Sequence, residues 1–383
     1  MKIGQFSDTF LPIVDGVGRV VYNYAEQIAL KGHESYVIAP LADTGYRGKF
    51  PFEIIDYISV VLPGLPQYKI GTPTTDTHFS QRVRAVPFDI IHAHTPFIAG
   101  NRAKSVSRRL GIPLVGSFHS KYYDDFYKIT HMKSAARFGT DIVLQFFNKC
   151  DDVWAVSNAS ADVLREYGYQ GDVFVVENGV AITDPDQSAA LEVQEKYGLG
   201  DKPVLLFVGQ LNWKKNIRTV LEAAALLKKR GLDFRLVLTG QGPDAEAICR
   251  TADELDIGER TIMTGHISDQ RILNGLYLRS ALFTFLSEYD NAPMVVREAA
   301  VMGTPSLLVR GSCAAEVVID GMNGLLCRND PTDAADQIER VLIYPDELGR
   351  LGQSARNTIP MGWSHIIDRV LERYTELIAR GKK

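Results

Sequence analysis

Two carboxylates, Asp290 and Glu298, stand eight residues apart in SEYDNAPMVVREAA, residues 287–300. Between them, Pro293 suits the first position of a helix that Gly303 would end, and unsatisfied N–H groups at a helix start favour an anion. A carboxylate beside an anion is costly unless a hydroxylated ligand donates to it, as sugars can. The pattern therefore predicts a site for a phosphorylated sugar, although a capping aspartate and a surface glutamate remain an alternative. The expected amide donors are those of Asn291, Ala292 and Met294.

A second cluster lies in VGQLNWKKN, where Gln210, Lys214 and Lys215 follow an apolar run. Cations at a helix start oppose the helix dipole, so the lysines make more sense if an anion joins them. We therefore assign one of the two lysines to a phosphate. The alternative is a solvated lysine pair.

Two glycine-containing loops would offer backbone groups, rather than side chains, to a ligand. In DGVG, Gly16 and Gly18 precede a helix expected to start near Arg19, and they would let a ligand approach the backbone. Val21 stands where a dinucleotide fingerprint needs a third glycine, so NAD binding is disfavoured. A plain strand-to-helix turn remains an alternative for DGVG. In TGQGP, Gly240 primarily forms a turn, and as a site it would add only backbone donors.

Three histidines follow or end apolar runs of the first half. We interpret His92 and His94 in DIIHAH as structural, because a lone histidine is more often a satisfied buried group than a catalyst. His119 in GSFHS directly follows a strand, where a neutral imidazole could bind a sugar hydroxyl. The spacing gives no reason to expect a metal site.

These residues fall between elements that alternate from short apolar runs to amphipathic helices, which predicts two doubly wound α/β domains. We place the first at 1–182 and the second at 200–362, with a facing cleft at the carboxyl ends of the strands. The polar segment near 180–200 is the expected boundary. A net charge of −4 gives no general attraction to nucleic acid, and the four scattered cysteines suggest neither zinc nor disulfides. Without a leader or an apolar run of about 18 residues, we expect a cytoplasmic protein.

Taken together, the motifs resemble glycosyltransferase family 4, whose members are retaining enzymes with the GT-B fold of two Rossmann-like domains. The likeness covers nearly the whole chain. Within the family, the start of the chain is most similar to bacterial diacylglycerol glucosyltransferases. The motifs that carry it are DGVG, DIIHAH, GSFH, VSNAS, ENGV, VGQL with KN, TGQGP, TGHIS and DNAPMVVRE continuing into AAVMGTPSLLV.

The resemblance implies a role for each matching position. It also implies no cofactor and no metal, with the leaving phosphate helping to deprotonate the acceptor, and a C-terminal helix within 363–383 that returns to the first domain through Trp363 and Tyr374. The implied sites are Gly16 at the pyrophosphate, His119 at the transferred sugar, Lys215 at a phosphate, Asp290 at the sugar hydroxyls, Glu298 at the ribose and Ile267 at the base.

Three positions depart from the family pattern. Gln210 replaces an arginine, so a phosphate charge is missing that Lys214 or Arg19 would have to supply. Asp290 is one methylene shorter than the usual glutamate, and Pro293 replaces a glycine and removes one amide donor. These changes put the donor's identity in doubt more than the reaction.

The acceptor is expected at the first domain, where residues 101–140 hold eight basic and two acidic side chains. With interleaved aromatic residues, this segment could lie on an anionic bilayer at the inner face of the membrane, or it could be a solvated helix face with an acceptor pocket. The candidates on the acceptor side are Asp15, Arg19, Tyr122, Tyr123 and Phe126.

The sequence thus predicts a bacterial glycosyltransferase moving glucose from UDP-glucose to a lipid such as diacylglycerol or to another small acceptor. One alternative is a GT-B nucleotide-sugar epimerase, which would need acids in the first-domain loops. Another is a sugar-nucleotide-binding protein without turnover. The acids available to the epimerase are Asp8, Asp15, Asp124 and Asp125.

Overall fold

Two separate parallel sheets organise the chain, as the alternation of apolar and amphipathic segments predicts. The computed structural model describes residues 1–12, 15–41, 48–62 and 65–381, in which two compact units form. The first comprises Met1–Asn178 with the helix from Trp363 onward, and the second Gly179–Gly362. Lys382 and Lys383, the end of the expected C-terminal helix, lie outside the described residues.

The first unit contains a seven-stranded parallel sheet and a small antiparallel hairpin, β4–β5. The order β3-β2-β1-β6-β7-β8-β9 reverses direction beside β1, the place where such sheets bind ligands. The strands are β1 (Lys2–Phe6), β2 (Glu34–Ala39), β3 (Glu53–Asp56), β4 (Ser59–Leu62), β5 (Leu65–Gly71), β6 (Ile90–Ala93), β7 (Leu114–Phe118), β8 (Asp152–Ala155) and β9 (Phe174–Val175).

The second unit contains a six-stranded parallel sheet in the order β12-β11-β10-β13-β14-β15, with its reversal beside β10. The strands are β10 (Val204–Val208), β11 (Arg235–Thr239), β12 (Thr261–Gly265), β13 (Leu282–Phe285), β14 (Ser306–Val309) and β15 (Leu325–Cys327).

Helices connect most successive strands of each sheet. Those of the first unit are α1 (Gly16–Leu30), α2 (Thr77–Ala85), α3 (Ile98–Leu110), α4 (Tyr122–Thr130), α5 (Lys133–Phe147), α6 (Asn158–Glu166) and α14 (Trp363–Arg380). Those of the second are α7 (Gln187–Lys196), α8 (Ile217–Lys229), α9 (Ala245–Glu254), α10 (Gln270–Arg279), α11 (Met294–Val301), α12 (Pro331–Ile343) and α13 (Pro345–Thr358).

Both faces of the first sheet are covered, which explains why its strands are apolar without alternation. Along β2, Ile38 belongs to an apolar cluster with residues of α3 and α5, whereas Val37 belongs to another with residues of α1. The fold therefore leaves the loops at the carboxyl ends of the strands as the places where polar side chains can gather.

Helix α14 packs within the first unit although it follows the second in sequence. Its Trp363 ring meets Tyr24 edge to face at 6.1 Å, and Arg373 makes two hydrogen bonds, of 2.8 and 2.9 Å, to the Asp152 carboxylate. The side chain of Tyr374 is fully buried. The chain passes from the first unit to the second between Asn178 and Gly179, and the segment near 180–200 contains α7, which lies in the second unit and packs on α10.

Candidate functional site

An ion pair between Lys215 and Asp290 forms the centre of the site in the second unit. The two side chains are 13% and 19% exposed, and the Lys215 ammonium donates to Oδ1 of Asp290. Ser287 Oγ donates to the other carboxylate oxygen at 2.6 Å. The structure thus brings together two residues 75 positions apart that the sequence assigns to one ligand.

The lysine reaches the acid because a short turn anchors it. Trp213–Lys215 form one turn of 3-10 helix, which Asn212 caps by accepting from the Lys214 N–H. Asn216 follows in the left-handed region (φ 57°) and donates to the Leu286 carbonyl at 2.9 Å. Since Leu286 directly follows β13, Asn216 ties the lysine turn to the loop that carries Asp290. The sequence places Asn216 beside the lysines, in the KN pair, but gives no sign of this contact.

Tyr289 lies against both lysines. The ammonium groups of Lys214 and Lys215 are 4.2 and 5.2 Å from its ring centroid, within the range of cation–π attraction. The Tyr289 ring therefore holds both ammonium groups beside the β13 loop, where Asp290 already pairs with Lys215.

Glu298 is buried in the second turn of α11, as expected for an acid on an apolar helix. It is 7% exposed, and Tyr277 donates its hydroxyl to the carboxylate at 3.2 Å. Helix α11 begins at Met294, so Pro293 is the capping residue rather than the first helical one, and the helix ends at Val301 before Gly303 (φ 76°). Asn291 is buried, and Ala292 is half-buried.

The glycine of the β11 loop is explained by packing. A Cβ at Gly240 would lie 1.9 Å from the Gly209 carbonyl oxygen, and the Gly240 amide donates to the Gly265 carbonyl at 2.9 Å. Because the Gly240 amide is engaged within the protein, it does not serve as the ligand donor that the sequence predicts. Of the neighbouring candidates, Gln210 is exposed and Ile267 is half-buried against the core.

In the first unit, His119 lies at the end of β7, as the sequence predicts. His119 Nε2 is 3.2 Å from His94 Nδ1, and the two rings are stacked. His92 and His94 are fully buried, and each has two hydrogen-bond partners, which confirms their structural interpretation. Burial lowers the pKa of His119 to about 4 and the pKa values of the other two well below the usual range. All three are therefore neutral at physiological pH.

The DGVG loop begins α1 at Gly16, three residues before the expected start near Arg19. The cause is Asp15, whose carboxylate accepts from the Gly18 amide at 2.6 Å and caps the helix. A Cβ at Gly16 would meet nothing within 4 Å, so the backbone there is open to approach.

Two acids that the epimerase interpretation needs are engaged in structure. Asp8 accepts from Thr95 Oγ1 at 2.6 Å and from the Ala99 amide, at the start of α3, at 2.9 Å. Asp15 caps α1. Burial raises the pKa of each carboxyl, and the remaining candidates, Asp124 and Asp125, lie in the first turn of α4.

The aromatic residues proposed for the acceptor divide into two groups. Tyr122 is 6% exposed and packs edge to face on Phe97 and Phe118, so it belongs to the core. Phe126 also contacts Phe97 and packs on the core. Tyr123 is half-buried and stacks on Tyr127. Burial therefore corrects Tyr122 from ligand contact to packing residue.

Neither a metal centre nor a spanning helix emerges from the ranges that the structure describes. No three His, Cys, Asp or Glu side chains converge there as a metal site would require. No helix among the same residues is both long and apolar enough to cross a bilayer.

Two parallel doubly wound units, with a lysine–aspartate pair after β10 and β13 and a histidine after β7, define the GT-B class of glycosyltransferase. The family model described as "Glycosyltransferase Family 4" matches residues 14–184, and the one described as "Glycosyl transferases group 1" matches residues 191–358. The chain belongs to glycosyltransferase family 4, and it is an enzyme of the hexosyltransferase class.

Curated relatives span most of the chain at low identity. A GDP-mannose-dependent alpha-mannosyltransferase of Corynebacterium glutamicum is 26% identical, over 100% of this chain and 91% of its own. Alpha-monoglucosyldiacylglycerol synthases of Streptococcus pneumoniae and Acholeplasma laidlawii are 25% and 23% identical, covering 90% and 100% of this chain and 79% and 99% of their own.

Solved structures match the fold. HepE of Anabaena in complex with UDP-glucose aligns with a TM-score of 0.78 at 17% identity, covering 98% of this chain and 100% of that one. Sucrose-phosphate synthase of Thermosynechococcus elongatus aligns with a TM-score of 0.83 at 18% identity, covering 99% and 100%.

Proposed function

We propose that the protein transfers glucose from UDP-glucose, with retention, to a hydroxyl of a lipid such as diacylglycerol or of another small acceptor. The observation that carries the proposal is the Lys215–Asp290 pair beside the switch point of the second sheet. Relatives described as glucosyldiacylglycerol synthases support the acceptor and the sugar, and the HepE complex supports the donor.

The donor's charges fit the side chains of the second unit. Lys215 would meet a phosphate of the leaving diphosphate, while Asp290, held by Ser287, would accept from sugar hydroxyls. Glu298, oriented by Tyr277, would accept from the ribose diol. In the first unit, neutral His119 would contact the transferred sugar. Supporting donor contacts are assigned to the backbone near Gly16, Gly18, Asn291, Ala292 and Met294, and to Gln210 and Ile267. Arg19 and Tyr123 remain candidates on the acceptor side.

Binding of nucleotides tests the donor assignment and decides between two sugars. Calorimetric titration of the full chain with UDP, GDP, UDP-glucose and GDP-mannose should show the uridine ligands binding at least about tenfold more tightly, a difference of about 1.4 kcal/mol. The GDP-mannose-dependent relative makes guanosine the second candidate. A preference for GDP ligands would overturn UDP-glucose as the donor while leaving hexosyl transfer in place.

We also propose that transfer needs no divalent metal, because the charge of Lys215 and the start of α11 lie where the diphosphate would bind. We expect the rate measured in excess EDTA to equal the untreated rate within a factor of two. Loss of activity that magnesium restores would contradict this expectation.

The surface of the α4–α5 hairpin tip supports a peripheral membrane protein. Residues 127–138 contain three basic side chains and no acidic one. They also expose Ile129, Met132 and Phe138 by 59%, 59% and 67%. Exposed apolar side chains in a segment of positive charge match the interface of an anionic bilayer.

Vesicle binding tests the hairpin tip directly. Co-sedimentation with vesicles should rise with the fraction of anionic lipid and fall as salt screens the charges. Replacing both Met132 and Phe138 by serine should reduce the bound fraction at least about tenfold, since roughly 1.5 to 3 kcal/mol accompanies each buried large side chain. The matched control is Ile343→Ser, at a 58% exposed position of the second unit. No binding at low salt would refute the membrane proposal.

A further inference from the structure

A continuous chain of hydrogen bonds runs through the interior of the first unit from His119 to Ser117. His119 Nε2 meets His94 Nδ1 at 3.2 Å, and His94 Nε2 meets Gln5 Oε1 at 2.7 Å. Gln5 Nε2 is 3.5 Å from the Tyr374 hydroxyl, which lies 2.5 Å from His92 Nδ1. His92 Nε2 meets Ser117 Oγ at 2.7 Å.

The rings of this chain are neutral. Burial lowers the pKa values of His92 and His94 and raises that of Tyr374 well above its usual value. A neutral imidazole carries one N–H, so one nitrogen donates and the other accepts. The hydrogen bonds can therefore all point one way along the chain or all point the other way. Fixing the donor of one bond fixes the donors of all the others.

Tyr374 decides the direction. A phenol is a strong donor and a weak acceptor, because its oxygen lone pair is delocalised into the ring. The short 2.5 Å contact with His92 Nδ1 is therefore the bond in which Tyr374 donates, and the long 3.5 Å contact from Gln5 is the one in which it accepts. Gln5 then directs its amide nitrogen to Tyr374 and its carbonyl oxygen to His94.

We propose that Gln5 and Tyr374 are positioning residues that fix His119 as the Nε2–H tautomer, in which Nδ1 is the hydrogen-bond acceptor of the ring. With Gln5 accepting, His94 must donate through Nε2 and accept through Nδ1. His119 must then donate through Nε2. The role of His119 at the sugar rests on the proposed function, whereas the tautomer is inferred from this chain of contacts.

The tautomers can be read by long-range proton–nitrogen NMR of the full, ligand-free protein labelled with ¹⁵N at histidine. His119→Asn, His92→Asn and His94→Asn assign the three rings among the eight histidines. We expect Nε2 protonated and Nδ1 unprotonated in all three. Protonated Nδ1 in His119, or opposite tautomers within the set, would overturn the proposal.

Breaking the chain tests whether the tautomer is imposed. Gln5→Met removes the acceptor of the His94 Nε2–H, so His94 should shift its proton to Nδ1 and His119 should change to Nδ1–H. The same change should lower kcat by at least about tenfold with a smaller change in the KM for donor. Tyr24→Phe is the control, because Tyr24 meets the same imidazoles through ring edges. An unchanged His119 spectrum in folded Gln5→Met would refute the positioning role.

This readout separates the two proposals. The tautomer is measured without substrate. If the expected tautomer is not found, the transferase assignment stands and is tested separately by product analysis. Conversely, a protein that shows the expected tautomers but transfers no hexose would contradict the proposed function and not the hydrogen-bond chain.

Discussion

Lys215→Ala should lower the rate of hexosyl transfer by about a thousandfold or more, because preorganised charge aimed at the leaving diphosphate is among the largest contributions to such catalysis. The variant also leaves the Asp290 carboxylate, which is only 19% exposed, without its cation. UDP should consequently bind more weakly, and calorimetry with single-turnover kinetics would measure both effects.

The matched control is Lys214→Ala, which makes the same change of charge one residue earlier in the same turn. Its ammonium contacts the Tyr289 ring, whereas that of Lys215 pairs with Asp290. We expect a loss at least about thirtyfold smaller than for Lys215→Ala. Turnover near the normal rate in Lys215→Ala would remove the phosphate assignment.

Acidification should destabilise the first unit strongly between pH 7 and pH 5. His92 and His94 are neutral when folded, with pKa values below the usual 6.5, whereas both bind protons on unfolding below that pH. The unfolded state then holds more protons, so stability falls as pH falls. Each imidazole contributes a loss of at most about 2 kcal/mol over this interval, and His119, with a pKa of about 4, adds a loss of the same sign.

Urea unfolding followed by tryptophan fluorescence measures this loss, since Trp154 packs edge to face on His92 at 4.9 Å. Asp8 and Asp15, whose pKa values burial raises, act in the opposite direction, so the comparison with His92→Asn isolates one imidazole. That variant should lose up to about 2 kcal/mol of the pH dependence, and His266→Asn, at an exposed position, is the matched control. Equal stability of the native sequence at pH 5 and pH 7 would contradict the prediction.

The architecture could be predicted because its causes are local. Strands buried on both faces are short apolar runs, and helices between them carry an apolar stripe, so the alternation is visible along the chain. The place of His119 followed from the same logic, since it directly follows β7. Helix α1 starts three residues before the expected position because Asp15 caps it, a role that the sequence pattern does not reveal.

The contacts of the site could not be predicted because they join distant parts of the chain. Nothing near Lys215 indicates that Asn216 binds the carbonyl after β13, or that Ser287 holds Asp290. Likewise, the close approach of two loops that requires Gly240 is a tertiary fact. Tyr122 lies in an aromatic segment that suggests a ligand contact, and only its packing shows that it belongs to the core.

The proposed transfer is tested most directly by product analysis. Full-length protein incubated with UDP-glucose and diacylglycerol in anionic vesicles should yield UDP and a lipid heavier by one hexose, detected by mass spectrometry, with Lys215→Ala as the blank. Free glucose alone, or no consumption of UDP-glucose under conditions in which the protein binds it, would contradict transfer to a lipid hydroxyl.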